Sequence, residues 1–500
     1  MFPTSHPIPF NQNRTFPSAI KLLGLVLFAN IWACSTSYDT DFYNDLEDQR
    51  IQPYLQNPWY WQYKGEPVLL LGGSNEDNLF NHPDLNPDGL EAHLDDMVSI
   101  TRDSSSPVRL YVRNTMSSRD GGQNVWWFNK DDDTGLYDLD AFNTEYWQRF
   151  DDFLAMTAER DIIVQIELWD RFDFAQSAWD DNPFNPDNNI NYSSGEIDLP
   201  TDIDSHPGEL ENPFFRSVPD LEDNAPLLQY QESVALKVLE ISLKYDHVLY
   251  TISNETSESP LWSKYWAQLL RQTADQAGKK IEVTEMWDDW DLTDKEHANT
   301  FDHPELYSFV DISQNGHQDE QVHWDNMQKA RDLLSVQPRP MNTVKIYGAD
   351  NGKHHGTSEE EATRRLWRNI FGGLASSRFH RPPHGIGLDD IAKTHLRSAD
   401  MFVQEIDIFK AEPDNSLLSG RSDDEAYSIS GPDSKYAVYF TDGGSVDLEV
   451  DESGDSYTLH WFNIIDSEWE EPETGQYSSE ISLTPPDDGQ WVALVQIGNS

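Results

Sequence analysis

The sequence predicts a (β/α)8 barrel followed by a small all-β sandwich, and two patterns support this fold class. Between residues 67 and 381, eight short apolar runs alternate with amphipathic stretches of helical period. The runs are too apolar for half-exposed strands, which is typical of a parallel sheet covered by helices. After about Pro413 the chain changes to short alternating strands separated by Gly, Pro and Asp turns, which indicates a β-sandwich.

The eight predicted barrel strands are separated by segments long enough to hold a helix. A doubly wound open sheet is the competing fold, but no glycine-rich phosphate loop follows the first strand. The strands are expected at 67–73, 108–114, 162–168, 247–253, 280–286, 309–314, 343–348 and 376–381, and the clearest helices at 142–160, 229–245 and 360–374.

Two connections depart from a minimal barrel. The segment "NPWYWQYKGEPVLLLGG" predicts a short hairpin that turns at Lys64-Gly65 before the first strand. The connection after the third strand is long, from about 169 to 224, and such loops are usually functional. On a barrel this loop is expected to overhang the catalytic face.

The N-terminal segment has the pattern of an export signal. Arg14 and Lys21 precede the apolar run "LLGLVLFANIWA", and Cys34 directly follows it. The stretch around Cys34 resembles the lipobox of bacterial lipoproteins, which predicts a lipid-anchored, exported protein. The alternative is a plain signal peptide with an incidental cysteine. We therefore divide the chain into a signal peptide (1–34), an acidic tether (35–50), the barrel (51–411) and the sandwich (412–500).

Composition limits the partners. The formal charge is −54, from 89 acidic and 35 basic side chains, and a field of this sign repels phosphate backbones. We therefore expect no nucleic-acid binding, and membrane contact only through the lipid anchor. With one cysteine in the chain, no internal disulfide can form.

The ends of the predicted strands supply the candidate site residues, since barrel enzymes place their working groups there. These positions hold many carboxylates, no cysteine and no clear nucleophilic serine, which favours acid–base chemistry on a polyhydroxylated substrate. In chain order the candidates are Asn75, Asp77, Arg113, Glu167, Trp169, Asp170, Asn254, Glu255, Glu285, Trp287, Asn315, His317, Asp350, Arg378, His380 and Arg381.

The pair Asn254-Glu255, after the fourth strand, resembles the acid/base motif of the large clan of retaining glycosidases built on (β/α)8 barrels. The resemblance implies that Glu255 protonates the leaving oxygen and that Asn254 holds a sugar hydroxyl. It also implies a partner carboxylate at the end of the seventh strand. A retaining pair stands about 5–5.5 Å apart, which opposite sides of a barrel mouth can supply.

The layout resembles the apiosidase-like glycoside hydrolases more specifically. The entry "KGEPVLLLGG" and the tail "YTLHWFN…TPPDDGQWVALV" match that family's barrel entry and its C-terminal β-domain, which is labelled collagen-binding. The resemblance implies a glycoside hydrolase acting on plant or algal polysaccharide fragments. The family's seventh strand usually ends in Glu-Pro, whereas this chain has "VKIYGADNG". Asp350 is the predicted nucleophile, with Glu285 as the alternative.

Several candidates have a second interpretation. Asn254-Glu255-Thr256 also fits an N-glycosylation acceptor in a surface loop. Glu167 and Asp170 either contact substrate or form a structural ion-pair cluster with Arg171. Three tryptophans either stack on sugars or pack in the core: Trp169, Trp287 and Trp290. Four basic residues either line a pocket for an anionic sugar or pack a loop: Arg378, His380, Arg381 and His384.

Two rival functions stay open, and neither a cofactor nor a metal is predicted. One is a lyase or dehydratase on uronic-acid oligosaccharides, with His380 or Tyr347 as base. The other is a glycan-binding protein with a degenerate site. The adjacent His354 and His355 lack a second ligand pair at recognisable spacing, so loop polarity explains them better than metal binding. Calcium on the acidic loops is left open.

Overall fold

A computed structural model describes residues 49–498, apart from 87, 102–104, 117–124, 350–357 and 451–455. The predicted signal peptide, Cys34 and the predicted nucleophile Asp350 lie outside the described residues. Within the described ranges, no helix combines the length and the apolar character needed to cross a membrane.

The barrel region alternates strands and helices. Its strands are β1 (Gln52–Pro53), β2 (Trp61–Tyr63), β3 (Glu66–Gly73), β4 (Val108–Thr115), β5 (Phe128–Lys130), β6 (Tyr137–Phe142), β7 (Ile163–Asp170), β8 (Val248–Asn254), β9 (Glu282–Thr284), β10 (Val310–Asp311), β11 (Met341–Asn342) and β12 (Ser376–Phe379). Its helices are α1 (Leu90–Val98), α2 (Thr144–Glu159), α3 (Gln176–Asp180), α4 (Ser194–Ile197), α5 (Ala225–Ser242), α6 (Pro260–Gln276), α7 (Lys295–Phe301), α8 (Glu320–Leu334), α9 (Glu359–Phe371) and α10 (Asp390–Glu405).

Eight of these strands, β3, β4, β7, β8, β9, β10, β11 and β12, form the barrel in that order. The first five pair in parallel, β10 pairs with β11, and β12 pairs back onto β3. Between β9 and β10 the link is a backbone hydrogen bond from Ser308 N to Val283 O at 3.1 Å. Between β11 and β12, Ala375 N donates to Met341 O at 2.9 Å. The predicted (β/α)8 barrel is confirmed.

The predicted hairpin before the first strand is also confirmed. Strand β2 pairs antiparallel with β3, and the turn residues Lys64 and Gly65 have φ of 53° and 82°. Positive φ at both central residues is the conformation that matches the twist of a two-residue hairpin. Gly65 supplies the second of these conformations without steric cost.

The seventh strand departs from its predicted span of 343–348. Its regular ladder covers only Met341–Asn342, because the neighbouring strand β10 ends in a 3-10 turn at Ser313–His317 and stops pairing. Farther along, the chain stays bonded to β12, with Ile346 N donating to Arg378 O at 2.9 Å. Lys345 and Tyr347 therefore lie on an irregular extension at the carboxyl end of the barrel.

The predicted helices appear with shifted ends, and local capping explains the shifts. Helix α2 begins at Thr144 because the Asn143 side chain accepts a hydrogen bond from Glu145 N. Helix α5 begins at Ala225, ahead of the predicted 229, because the Asn224 side chain caps it and a proline follows. The apolar faces of both helices are buried against the barrel.

The long connection after the third strand is a packed layer of aromatic side chains. The Trp169 ring lies 5.2 Å from the Trp266 ring and 5.4 Å from the Phe214 ring. Phe174 and Phe214 stack at 3.9 Å. The segment therefore covers the carboxyl ends of the third and fourth strands as a fixed structure.

The C-terminal region contains two β-sheets with an apolar core between them, as predicted. Its strands are β13 (Glu412–Pro413), β14 (Leu418–Ser419), β15 (Ala426–Ser430), β16 (Lys435–Phe440), β17 (Val446–Glu449), β18 (Tyr457–Asn463), β19 (Glu468–Trp469), β20 (Glu473–Gly475), β21 (Glu480–Leu483) and β22 (Trp491–Ile497). One sheet has the order β13-β15-β16-β22-β18-β19 with β20 on β18, and the other has the order β14-β17-β21. Leu448 and Phe440, one from each sheet, both lie in the shared core.

Candidate active site

Glu255 directly follows the fourth barrel strand and lies at the barrel mouth. Its φ is 50°, a left-handed conformation that a non-glycine residue adopts at an energetic cost and that is enriched at functional sites. The next peptide is tied to the fifth strand end, because Thr256 N donates to Met286 O at 2.8 Å and Asp288 N donates to Thr256 O at 2.9 Å. The carboxylate is 14% exposed. It is thus held in place and still reachable from solvent.

Lys345, on the extension of the seventh strand, forms an ion pair with Glu255. Its Nζ donates to Glu255 Oε1 and also to Asn254 Oδ1. The lysine side chain is 1% exposed. Burial lowers the pKa of this amine, while the neighbouring Glu255 carboxylate opposes that shift. Tyr347, two residues on, donates from its hydroxyl to the same Glu255 oxygen at 3.2 Å.

Arg171 joins Glu255 to a second carboxylate. Its Nη2 lies 3.4 Å from Glu255 Oε2 and 2.7 Å from Asp288 Oδ2. Burial raises the pKa of Asp288, Arg171 counters this effect, and the nearby Glu255 adds to it. Because both carboxylates contact one guanidinium nitrogen, they lie side by side on the adjacent fourth and fifth strand ends.

Asn254 is a buried residue that anchors this group of side chains. Its Nδ2 donates to Asp170 Oδ1 at 3.0 Å, and its Oδ1 accepts from Lys345. In the folded chain this amide has no room for an attached glycan, so the sequence pattern Asn-Glu-Thr is not a surface acceptor site. Of the two interpretations of Glu167, the structural ion pair fits, but its partner is Arg113 at 2.7 Å, whereas Arg171 pairs with Glu255 and Asp288.

A second charged cluster lies deeper in the barrel, centred on Asp77 at the end of the first strand. Asp77 accepts from Arg113 at 3.0 Å, from Arg378 at 3.2 Å and from Arg381 at 2.8 Å. Arg113 also lies 2.7 Å from Glu167. Burial opposes the charge on Asp77, yet the facing arginines hold its pKa well below the usual range.

The predicted anionic-sugar pocket at Arg378, His380 and Arg381 is not supported by these positions. Arg378 is fully buried, and both Arg378 and Arg381 pair with Asp77. His380 is buried as well, and desolvation holds its pKa well below the ordinary value, so it is neutral. The three side chains hold the barrel strands together around Asp77.

Four other predicted substrate contacts are buried away from solvent: Glu285, Trp287, Trp169 and Asn315. Glu285 points to the helix layer, where it accepts from Ser263 Oγ and from Ser253 N. Trp287 donates to Thr300 Oγ1 at 2.7 Å. Their contacts are to the protein's own core. The alternative of Glu285 as nucleophile therefore does not fit, because its carboxyl group does not face Glu255.

The two remaining described candidates lie nearer the solvent. The His317 ring packs on the Tyr347 ring at 4.5 Å and so borders the Glu255 site. Asn75 is exposed, and its Oδ1 accepts from Leu388 N at 3.0 Å. The structure therefore brings together Glu255, Asn254, Asp170 and His317. The Asp77 cluster lies directly beside them, since the His380 ring is 5.1 Å from the Tyr347 ring, and it contains Arg113, Glu167, Arg378, His380 and Arg381.

Sequence reasoning left Lys345, Arg171 and Asp288 out of the predicted site. A lysine inside the apolar run "VKIYG" was the available signal for Lys345, since a charged side chain in a barrel strand is seldom buried without a partner. Asp288 directly follows Trp287, just after the fifth strand. Nothing in the sequence says that Arg171 turns toward the fourth and fifth strands.

Trp290 is the tryptophan of this region that faces solvent. It is 57% exposed, whereas Trp169 and Trp287 are each 1% exposed. Its backbone is fixed, because Trp290 O accepts from Asn326 Nδ2 at 2.8 Å. It stands two residues from Asp288, on the loop after the fifth strand. Of the three tryptophans considered as sugar platforms, only this one offers an accessible ring.

Metal-ligand geometry occurs at one place among the described residues, in Glu76, His82 and Asp84, whose ligand atoms lie within 4.8 Å of one another. His82 Nε2 already lies 3.2 Å from Glu76 Oε2, within hydrogen-bond distance. Asp84 is exposed, and exposed acidic groups of this kind are common without a metal. We assign no metal to this group.

Comparison with solved structures shows the fold. The chain is similar to a glycoside hydrolase family 5 protein from Bacteroides vulgatus, with 15% identity, a TM-score of 0.59, and coverage of 91% of this chain and 95% of that one. It is also similar to a protein described as a glycoside hydrolase, with 13% identity, a TM-score of 0.58, and coverage of 91% and 98%. A maltogenic alpha-amylase from Thermotoga neapolitana follows at 9% identity and a TM-score of 0.51, with coverage of 86% and 99%.

No family model and no curated protein sequence matches the chain. At these identities the likeness establishes a shared architecture over nearly the whole described chain, including the β-sheets after the barrel. The apiosidase-like subtype and the collagen-binding label stay predictions. What the site does chemically must be argued from its own residues.

Proposed function

We propose that this protein is a glycoside hydrolase in which Glu255 gives a proton to the glycosidic oxygen and takes one from the attacking water. The observation that carries the proposal is the position of Glu255, a partly exposed carboxylate held rigidly at the end of the fourth strand. The fold shared with solved glycoside hydrolases adds support.

The chemistry follows from what an acetal needs. Breaking the glycosidic C–O bond sends an electron pair to the leaving oxygen, which must receive a proton, and leaves positive charge on the sugar ring. Glu255 is the group that delivers this proton. The acidic side chains around it, Asp170 and Asp288, stabilise the developing positive charge. Water then adds to the anomeric carbon, and its proton returns to Glu255.

Retention of configuration requires a second carboxylate as nucleophile. Asp350 is our predicted nucleophile from the sequence. Asp288 is a competing candidate, because Arg171 holds it beside Glu255. Variants Asp350→Gly and Asp288→Gly distinguish them: with azide as external nucleophile, removal of the true nucleophile yields a glycosyl azide of inverted configuration, detected by NMR.

For the substrate we propose plant or algal polysaccharide fragments, bound at the mouth with Trp290 stacked on a sugar face. For location we propose export followed by lipid anchoring at Cys34. The substrate proposal rests on the family resemblance and on the accessible ring of Trp290, and the location proposal rests on the sequence pattern around Cys34. The lyase alternative is disfavoured, because Arg378 is fully buried and both Arg378 and Arg381 already pair with Asp77.

The test is a screen followed by one substitution. Oligosaccharides from digests of pectin, xylan, mannan, xyloglucan, laminarin and alginate are incubated with the protein and analysed by mass spectrometry. Hydrolysis adds one water across the two products, whereas elimination adds none and gives one unsaturated product. We expect hydrolysis of at least one class.

Glu255→Gln should then lower kcat/KM by at least about 10³-fold, because it removes the transferable proton and leaves the shape unchanged. Glu449→Gln, at an exposed position of strand β17, is the matched control and should retain full activity and the wild-type unfolding temperature. Glu255→Gln leaves the buried Lys345 without its carboxylate, so circular dichroism is used to check that this variant is folded at the assay temperature. Full activity in Glu255→Gln contradicts the assignment, and binding without product from any class supports the glycan-binding alternative.

A further inference from the structure

Glu255 lies between cations, which is unusual for a residue that must donate a proton. Lys345 and Tyr347 donate to its Oε1, and Arg171 lies 3.4 Å from its Oε2. Hydrogen bonds and positive charges of this kind favour the ionised carboxylate. An ionised Glu255 has no proton of its own to give to a leaving oxygen. The proton that reaches the glycosidic oxygen is then supplied to Glu255 either by solvent or by a neighbouring side chain.

Lys345 is the neighbour with a proton to transfer. Arg171 stays protonated at all accessible pH, so its guanidinium is not a source. The Lys345 ammonium donates directly to Glu255 Oε1 and is almost fully excluded from solvent. Excluding an ammonium from water disfavours its charged form. Burial accordingly lowers the pKa of this amine.

We propose that Lys345 is a positioning residue that stores the proton which Glu255 hands to the leaving oxygen. This inference rests on the proposed function. As the glycosidic C–O bond breaks, the leaving oxygen takes a proton from the Glu255 carboxyl group. Glu255 takes its proton from Lys345, which becomes a neutral amine. When water attacks the anomeric carbon, its proton passes to Glu255 and back to Lys345. One water is consumed, and no net proton is released.

The other charged and titratable groups around the pair do not replace this role. Glu167 is held by Arg113, Asp311 accepts from Gln165 and Ser313 N, and Arg113 is committed to Asp77 and Glu167. His380, whose ring lies 5.1 Å from that of Tyr347, is held neutral by burial. Among the residues that the structure describes, the groups that face the pair from the surrounding elements are Arg113, Glu167, Asp170, Arg171, Asp288, Asp311, His317, Tyr347 and His380.

Two substitutions at Lys345 separate proton storage from simple charge neutralisation. Lys345→Met removes both the charge and the proton. Lys345→Arg keeps the charge and cannot release a proton. The readout is the pH dependence of kcat/KM on the oligosaccharide class that the wild-type protein hydrolyses in the screen above.

With Lys345→Met, the alkaline limb of the profile should move toward acid, because Glu255 must then bind a solvent proton. We expect a loss of about 100-fold at pH 7.5 and recovery to within about fivefold of wild type at pH 5. With Lys345→Arg, we expect a loss of at least about 100-fold at both pH values. Lys393→Met, which breaks a surface ion pair with Asp96, is the control and should leave the profile unchanged.

Two results overturn the inference. One is a Lys345→Arg variant with near wild-type activity, since charge alone then suffices. The other is a Lys345→Met variant whose pH profile keeps the wild-type shape. If Lys345→Arg fails to fold, as judged by circular dichroism, the Lys345→Met profile alone decides. Failure of the proposed function looks different, because the wild-type protein itself then yields no hydrolysis product from any class.

Discussion

Two clusters of charged side chains lie inside one barrel, and they differ in their access to the substrate. The Asp77 cluster joins the first, second, third and eighth strands, and its aspartate and Arg113 are fully buried. The Glu255 cluster joins the fourth, fifth and seventh strand ends, and its Glu255 and Asp288 carboxylates are partly exposed. Both clusters have strong ion pairs, so charge pairing alone does not mark an active site. Exposed carboxylates at the strand ends distinguish the proposed site from the Asp77 cluster.

The largest effect on stability is expected from a substitution at Asp77. Replacing Asp77 with Asn leaves three arginines without their shared carboxylate in a buried site, and should lower the free energy of unfolding by about 3–5 kcal/mol. Urea denaturation followed by circular dichroism measures the change. Asp96→Asn, which breaks only the exposed pair with Lys393, should cost less than about 1 kcal/mol. A stable Asp77→Asn protein without activity would make this cluster part of the reactive site.

A smaller effect is expected at Glu285, on the helix side of the fifth strand. Burial raises its pKa from 4.5 to about 8. The folded chain therefore keeps a proton that the unfolded chain releases above pH 4.5, and the stability from this group falls as pH rises toward 8. Glu285→Gln should remove that loss and stabilise the protein at pH 8 by roughly 1–3 kcal/mol.

The same Glu285→Gln substitution should have little effect at pH 4.5, where wild-type Glu285 is protonated in the folded chain. Thermal unfolding at both pH values measures the difference. Glu449→Gln, on the exposed side of β17, should show no pH-dependent gain. An equal gain at both pH values would mean that packing, not protonation, causes the stabilisation. Catalytic loss in Glu285→Gln would instead restore this residue as a candidate nucleophile.

The smallest effect is expected at Trp290. Removing its exposed ring in Trp290→Ala should raise KM about tenfold, equivalent to about 1.4 kcal/mol, with kcat nearly unchanged. Trp290→Phe should recover most of the loss, because an aromatic face remains. Leu333, 56% exposed near the end of helix α8, lies toward the opposite end of the barrel, since that helix returns to the start of the seventh strand. Leu333→Ala should leave KM unchanged, and an equal rise there would remove Trp290 from the substrate site.

The fold and the fourth strand end could be read from the sequence, because both depend on local patterns. Eight apolar runs with helices between them predict the barrel, and "YTISNE" places Glu255 at a strand end. The expectation that working groups follow the barrel strands located the strand ends, but it did not say which side chains there face the barrel mouth. Asn254 ends one apolar run and Glu285 follows another, yet of the two only Asn254 contacts the Glu255 cluster.

The partners of Glu255 could not be predicted, because they depend on tertiary contacts between distant segments. Arg171 turns toward Asp288, which lies more than a hundred residues along the chain. Lys345 reaches Glu255 from the irregular extension of the seventh strand, which forms because the sixth strand ends in a 3-10 turn. The sequence showed only that the expected Glu-Pro was absent there. The structure adds a buried cation facing Glu255.

The most direct test of the central claim is the dependence of Glu255→Gln on the leaving group. Two glycosides of the sugar that the wild-type protein releases are compared, one with phenol and one with 2,4-dinitrophenol as leaving group. Dinitrophenolate departs without a proton, so kcat/KM on that substrate should stay within about tenfold of wild type, while kcat/KM on the phenyl glycoside should fall by about 10³-fold or more. An equal loss on both substrates would contradict the role of Glu255 as the proton donor.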